Sequence, residues 1–438
     1  MYSSEVVLIT GSSAGIGRAT AHEFAKRGAS IGLLARNIDA LEGAKREVEA
    51  LGGKAICCVC DVSEPTQIKQ AADQVEAAFG PIDTWINNAM VSFLAPLKEV
   101  TEEEYRRVTD VCYHGQVYGT MEALRRMRRR NQGSIVLVGS ALAYRGIPLQ
   151  TAYCGAKHAI QGFYDSLRAE LIHEGSNIKV TMVQLPGVNT TQFKLTRNKM
   201  PNKPRPMGAI YQPEEAARGI VYAADNDERE VLVGLPSYQT IWGNKLFPGI
   251  ADEVLGNTAY KGQMTDEPES PSAPDYLFEP VPGDHGYKGG FGGKDSTMGP
   301  GFWSTLNKIS GAVLAGGVVA AGAAVLLKLA GVGSGDDDEQ EVYYADGDYT
   351  RYTQPQAAYI DHSVYPQQSA ETRFGGYPAQ QYGNYPTRDL SGIHGGAPQD
   401  FEYNNGSQPN GHHSTYPGEV ALHQARRQDG TVVLDAID

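Results

Sequence analysis

The chain has 438 residues, enough for two or three domains and a large hydrophobic core. Its formal net charge of −13 excludes general nucleic-acid binding, which needs a basic surface. The charge is uneven: from Val332 onward 16 Asp and Glu face 5 Lys and Arg, so the residues before it are close to neutral.

The chain enters an unbroken apolar run at Val6–Ile9, the pattern of a strand covered on both faces, and no signal peptide fits before it. Thr10-Gly11-Ser12-Ser13-Ala14-Gly15-Ile16-Gly17 follows, and then a helical pattern from Arg18 to Arg27. A strand, a tight glycine turn and a helix make a phosphate site, because the N–H groups of the first helical turn point outward and the helix dipole favours an anion there. Each glycine serves the turn, the approach of a phosphate to the backbone, or helix–strand packing. The spacing G-x-x-x-G-x-G differs from the commoner G-x-G-x-x-G, and by itself it also fits an ordinary strand-to-helix turn.

Strand and helix patterns then alternate. Ser30–Ala35 is predicted as strand, Asn37–Leu51 as helix, Ala55–Cys60 as a buried strand and Thr66–Phe79 as helix. Ile82–Ile86 is strand, Glu102–Arg129 helix, Ser134–Val138 strand, Tyr153–His173 helix and Lys179–Gln184 strand, before a helix at Pro213–Ala224 and a last strand at Glu230–Val233. This alternation with short connections predicts an α/β fold, a doubly wound parallel sheet with right-handed crossovers. All five cysteines lie in this region. Cys57 and Cys60 have C-x-x-C spacing, but no second Cys/His pair follows, so they read as core residues and no metal site is expected.

Arg125–Arg130 reads as a solvated helix end complementing the dipole. Val188–Gln212 holds five Lys and Arg, no acid and three prolines, the form of an active-site lid. Regular patterning fades after about Gly256; Thr265–Ala273 and Gly286–Gly301 are linker-like, and Tyr276–Val281 between them is apolar enough to pack back onto the domain. Ile309–Leu327 carries no charge over 19 residues, about 28 Å as a helix, and is expected to span a membrane with the N-terminal domain on the cytoplasmic side. The tail from Val332 is acidic and rich in Tyr, Gly, Gln and Pro, too poor in aliphatic residues for a core, and is expected to be disordered. The expected organisation is therefore a catalytic domain over 1–256, an extension and linker over 257–301, an apolar helix within 302–331, and the tail over 332–438.

Ser140 lies just past the C-terminal end of a strand, the edge at which open α/β sheets bind ligands. Thirteen residues later Tyr153-Cys154-Gly155-Ala156-Lys157 puts Tyr153 and Lys157 on one helical face. A free tyrosine is a poor base at neutral pH, and a nearby ammonium favours its phenolate. Tyr153 is thereby equipped to exchange a proton with a substrate hydroxyl or carbonyl that Ser140 holds.

These motifs together resemble the short-chain dehydrogenase/reductase family. The resemblance runs from Val6 to about Gly234 through Thr10–Gly17, Asn87-Asn88-Ala89, Ser140, Tyr153…Lys157 and Pro186-Gly187, in order and rough spacing. It implies a Rossmann domain, a nicotinamide cofactor and hydride transfer between an alcohol and a carbonyl. It implies Tyr153 as acid/base, Ser140 orienting the reacting oxygen, and Lys157 lowering the tyrosine pKa and binding the nicotinamide ribose. Gly11, Ser13, Gly15, Ile16 and Gly17 would clamp the pyrophosphate, Asp61 and Val62 hold the adenine, and Asn88 the central portion of the cofactor. Association of copies through the two long helices is also implied. Charge bears on the choice of cofactor: the second strand ends Leu34-Ala35-Arg36-Asn37, where NAD enzymes place an acid, so Arg36 with Ser13 points to the 2′-phosphate of NADP over NAD.

Two departures stand out. Met90 follows Asn87-Asn88-Ala89 where the family has glycine, and Val111-Cys112-Tyr113-His114-Gly115 stands where it has Val-Asn-x-x-Gly. Cysteine does not reproduce an amide's hydrogen bonds, so a proton relay to Lys157 would run through another water or through His114. The expected partner is a small, apolar alcohol or ketone. A cofactor-sensing or scaffolding role on the same fold stays open as the alternative.

Overall fold

A computed structural model describes residues 5–295, 299–302, 304–313, 425–426 and 432–433. The chain divides into two compact units, Met1–Glu339 and Gln340–Asp438. In the second, the described residues are one antiparallel pair, Ala425–Arg426 with Val432–Val433; the rest of the expected tail lies outside the described residues.

The first unit is built on a seven-stranded sheet. Its strands are β1 (Val6–Thr10), β2 (Ser30–Ala35), β3 (Lys54–Val59), β4 (Thr84–Asn87), β5 (Gly133–Val138), β6 (Ile178–Gln184) and β7 (Glu230–Leu232), all parallel, in the order β7-β6-β5-β4-β1-β2-β3. The order reverses between β1 and β4, and that reversal opens a crevice at the C-terminal edge. Alternation along the strands separates two cores. Val7 and Ile9 pack with α1 (Gly15–Ala25), α2 (Ile38–Ala50) and α7 (Pro213–Asp225), through residues such as Phe24, Leu41 and Ile220. Val6 and Leu8 face α3 (Pro65–Phe79), α5 (Gly115–Met127) and α6 (Thr151–His173), through Val75, Leu124 and Ile160.

The expected doubly wound sheet is present, with three differences of substance. First, the helix expected over Glu102–Arg129 is broken into α4 (Glu102–Thr109) and α5 by a π-turn at Asp110–His114. Second, β3 is an edge strand, so Cys57 is only half-buried rather than part of a covered core. Burial still pushes the Cys57 thiol up to about 12, and among the described residues no cluster could hold a metal ion.

Third, patterning does not end at Gly256. Helices α8 (Gly234–Leu246) and α9 (Pro248–Gly262) run through that boundary, and Met264–Pro268, expected as linker, pairs antiparallel with Asn202–Pro204 of the lid. These helices bury few residues, Ile241 and Ala259 among them, so their amphipathic signal is weak. The glycine-rich stretch is likewise docked, Gly289 and Lys294 donating their N–H groups to the carbonyls of Asn189 and Ile210. Among the described residues no helix is long and apolar enough to cross a membrane. Residues 309–313 are helical, and the remainder of the expected span lies outside the described residues.

The glycine turn is held by backbone contact. A Cβ on Gly17 would sit 2.3 Å from the Gly11 carbonyl oxygen, main chain that cannot swing away. Gly17→Ala is therefore expected to lower unfolding free energy by about 2 kcal/mol or more. Gly243→Ala, on an exposed helical turn with nothing within 4 Å, is expected to raise it by about 1 kcal/mol. Denaturant titration of the two variants checks both signs.

Candidate active site

Two clefts meet at the C-terminal edge of the sheet. One, of about 1080 Å³ including open space, is lined by Gly11, Ser13, Gly15, Arg36, Asp61, Val62 and Asn88. The other, about 1300 Å³, is lined by Ser140, Tyr153 and Lys157 with a largely apolar wall. Ile16, Asn88, Met90, Thr190 and Gln192 line both, so the clefts are continuous.

The phosphate end is assembled from main chain. Gly11 and Gly15 adopt φ of +67° and +53°, which only glycine takes without strain. Gly15 leaves the space before Thr190 clear: a Cβ there would come within 3.4 Å of the Thr190 side chain. Asn88 lines both clefts and braces the turn. Its Nδ2 donates to the carbonyls of Thr10 (3.0 Å) and Gly11 (3.2 Å), while its own N–H donates to Thr10 Oγ1, tying the end of β4 to the glycine turn.

At the chemical end, the Ser140 N–H donates to Gln184 Oε1 (2.9 Å), and Gln184 is itself fully buried and tied to Glu230 (2.9 Å). Ser140 Oγ accepts from the Leu142 N–H and is near enough to the Tyr153 hydroxyl to favour its ionised form. Lys157 is 1% exposed, its Nζ donating to the Val138 carbonyl (2.6 Å) and lying 5.4 Å from the Tyr153 ring centre. Gln116 Nε2 shares that carbonyl at 3.1 Å.

Ser140, Tyr153 and Lys157 thus converge as expected, but their proton affinities differ from expectation. Burial pushes the Tyr153 hydroxyl well above the ordinary tyrosine range, and Ser140 only partly offsets it. Burial also lowers Lys157 to about 8. Desolvation thus dominates at both groups in the cofactor-free protein.

Cys112 occupies the π-turn, fully buried, its thiol donating to the Val91 carbonyl (3.0 Å) and close enough to Lys157 to interact electrostatically. Such a turn opens the helical hydrogen-bond ladder locally. His114, considered as a relay, sits half-exposed, paired with Asp110 at 2.9 Å and stacked near Tyr118.

Asp61 and Arg36 differ from expectation as well. Asp61 is bound by Arg107 (2.5 Å) and by the Ser63 N–H and hydroxyl. Burial alone would raise its pKa, but these partners hold it below the ordinary range. Arg36, expected free for a phosphate, donates instead to the main-chain carbonyls of Tyr276 and Phe278. Thr190 and Gln192 of the expected lid line the first cleft, as do Tyr276, Pro280 and Val281 of the segment expected to pack back, and His285, to which the sequence assigned no role. Arg128 is exposed and paired with Glu174, whereas Arg126, expected as part of a solvated helix end, is largely covered and paired with Asp73, Glu76 and Glu122.

A glycine turn without a side chain at Gly15, an unobstructed first helical turn and a Ser–Tyr–Lys cluster on one sheet edge fit a nicotinamide dinucleotide. The fold and site define a nucleotide-dependent oxidoreductase acting on CH–OH groups. The short chain dehydrogenase model matches residues 5–201. The chain is 31% identical over 283 residues to the uncharacterized oxidoreductase YxnA of Bacillus subtilis (strain 168), covering 64% of this chain and 80% of the relative. It is 32% identical over 269 residues to dehydrogenase/reductase SDR family member 7B of Mus musculus, covering 58% and 81%. The 3-ketodihydrosphingosine reductase of Bos taurus is 30% identical over 240 residues, 53% and 72%. This chain belongs to the short-chain dehydrogenase/reductase family, whose members use NAD(P).

The buried lysine leads to a test. Because the folded-state pKa of Lys157 lies below its unfolded value of 10.5, the unfolded chain holds more protons between about pH 8 and 10.5, and stability rises with pH across that window. At pH 7 the charged lysine therefore weakens the fold. Lys157→Met is expected to stabilise the cofactor-free protein by about 2 kcal/mol at pH 7, with the gain shrinking as pH rises above 8. Thermal unfolding against pH checks it; a lower midpoint at pH 7 would contradict the burial argument.

Proposed function

We propose that this protein is an NADP-dependent oxidoreductase that interconverts an apolar secondary alcohol and its ketone. The observation that carries the reading is the continuity of the glycine-turn cleft with the cleft holding Ser140, Tyr153 and Lys157. The first turn of α1, with Gly11, Ser13, Gly15, Ile16 and Gly17, would bind the pyrophosphate, Asp61 and Val62 the adenine side, and Arg36 the 2′-phosphate. Asn88 would act by holding the glycine turn in place. The bound cofactor supplies or accepts the hydride.

The chain's own residues do the rest. Ser140 Oγ, fixed by Gln184 through its N–H, holds the reacting oxygen beside Tyr153. Tyr153 has a raised proton affinity, so in the cofactor-free protein it stands protonated, ready to donate to a carbonyl oxygen. Lys157, near neutrality in its own titration, stabilises the phenolate that remains and can return a proton to it. The wall formed by Leu142, Ile147, Phe193, Met207 and Leu255 excludes water and favours an apolar substrate. The bovine relative is named for the reduction of a keto compound, which supports the carbonyl side of the reading.

NADPH consumption with a panel of apolar ketones tests the reading. Tyr153→Phe is expected to lower turnover by about 10³-fold or more while leaving NADPH affinity within about twofold; unchanged turnover would remove the tyrosine from the reaction. Arg36→Ala is expected to weaken NADPH binding by about 10- to 100-fold and NADH binding far less. Equal losses for the two would assign Arg36 no part in the choice.

A further inference from the structure

The roof of the first cleft is a segment far along the chain. Asp275 pairs with Arg197 (3.0 Å), and Leu277 is fully buried in the core beneath α4 and α6, its carbonyl accepting from Arg107 Nε (3.0 Å). The Tyr276 and Phe278 carbonyls accept from Arg36, and those of Val281 and Gly283 accept from Asn37 Nδ2 (2.6 and 2.9 Å). Asp284 ends the crossing with two contacts to Arg18, at 2.5 and 3.1 Å. Arg18 is itself 2% exposed and shared with Glu47. The segment therefore has anchors at both ends and between them lies on Arg36 and Asn37, just past the end of β2.

We propose that residues 275–285 are an intramolecular strap that competes with the 2′-phosphate of NADP(H) for Arg36, so that the cofactor binds by displacing it. The proposal rests on the reading of Arg36 as the phosphate-binding residue. Two of the five N–H donors of Arg36, one on each terminal nitrogen, are taken by strap carbonyls, so a phosphate that takes the fork end-on must displace them. The exchange favours the cofactor, because charge-assisted bonds to a phosphate are about twice as strong as bonds to neutral carbonyls. Arg36 is also poorly neutralised while the strap is closed: Asp61 is 3.9 Å away and bound to Arg107, and burial and the Arg107 charge lower the affinity of Arg36 for its own proton. A dianionic phosphate relieves that deficit, whereas the ribose hydroxyl of NAD(H) brings no charge to do so. The strap thus makes entry selective: NADP(H) opens it and NAD(H) works against it.

The test uses the full chain and two readouts that do not depend on turnover. Hydrogen exchange of the amides in 276–286 is expected to be slow without nucleotide, faster with saturating NADPH and unchanged with NADH. Asp284→Asn, at the exposed end of the strap, is expected to lower the NADPH dissociation constant by about tenfold by fluorescence titration, because Arg18 then holds the strap more weakly. Leu277→Ala is expected to act in the same direction through the buried end. NADPH that increases protection of 276–286, or variants that bind NADPH more weakly, would overturn the proposal and make the segment a cover that closes on the cofactor. A wild-type preference for NADH would instead remove the reading of Arg36, and the strap's role with it. The two failures are distinct, since the first leaves NADPH the preferred nucleotide.

Discussion

The structure depends on how closely the C-terminal ends of β1 and β4 approach each other. Thr10 Oγ1 accepts the N–H groups of Asn88 (2.9 Å) and Ala89 (3.1 Å), and Asn88 returns its amide to the Thr10 and Gly11 carbonyls. A Cβ on Gly11 would lie 2.7 Å from the Ala89 Cα, so the approach is possible only without a side chain there. With those two strand ends locked, the first turn of α1 faces the crevice at the switch in strand order. The two clefts then share one wall.

Around that knot, the sheet edge serves two incompatible demands. Phosphate recognition needs bare main chain and accessible donors, supplied by the glycine turn. The proposed proton transfer needs buried titratable groups, which Tyr153 and Lys157 at the start of α6 would supply. Burying the lysine lowers it to about 8 and weakens the fold at neutral pH. That loss of stability is the usual companion of a site held ready for chemistry.

What the sequence made legible follows from the kind of contact involved. The alternation of apolar runs and helical faces is local, and it carried the sheet and most element positions. The glycine turn, Ser140 and the Tyr153/Lys157 pair are short-range patterns with a physical purpose, and the structure brings them to one edge. That Tyr276–Val281 packs back onto the domain was legible from its apolar character, but its hold on Arg36 was not. Arg36 meets the Tyr276 and Phe278 carbonyls some 240 residues away, and main-chain oxygens leave no trace in residue type. The π-turn at Asp110–His114 was hidden for a similar reason, since its residues have no distinctive pattern and only packing against α6 distinguishes it from a continuous helix. Gln184 read as the end of a strand, and only the fold shows that its amide holds Ser140.

The central claim is that the two clefts form one reaction site, with Tyr153 delivering the proton as the cofactor reduces a ketone. Mass spectrometry of the alcohol formed from an apolar ketone and NADPH deuterated at the reactive nicotinamide carbon tests it most directly. One deuterium on the carbinol carbon, lost together with turnover in Tyr153→Phe, is the predicted result. Tight NADPH binding with no deuterated alcohol from any ketone of the panel would contradict it.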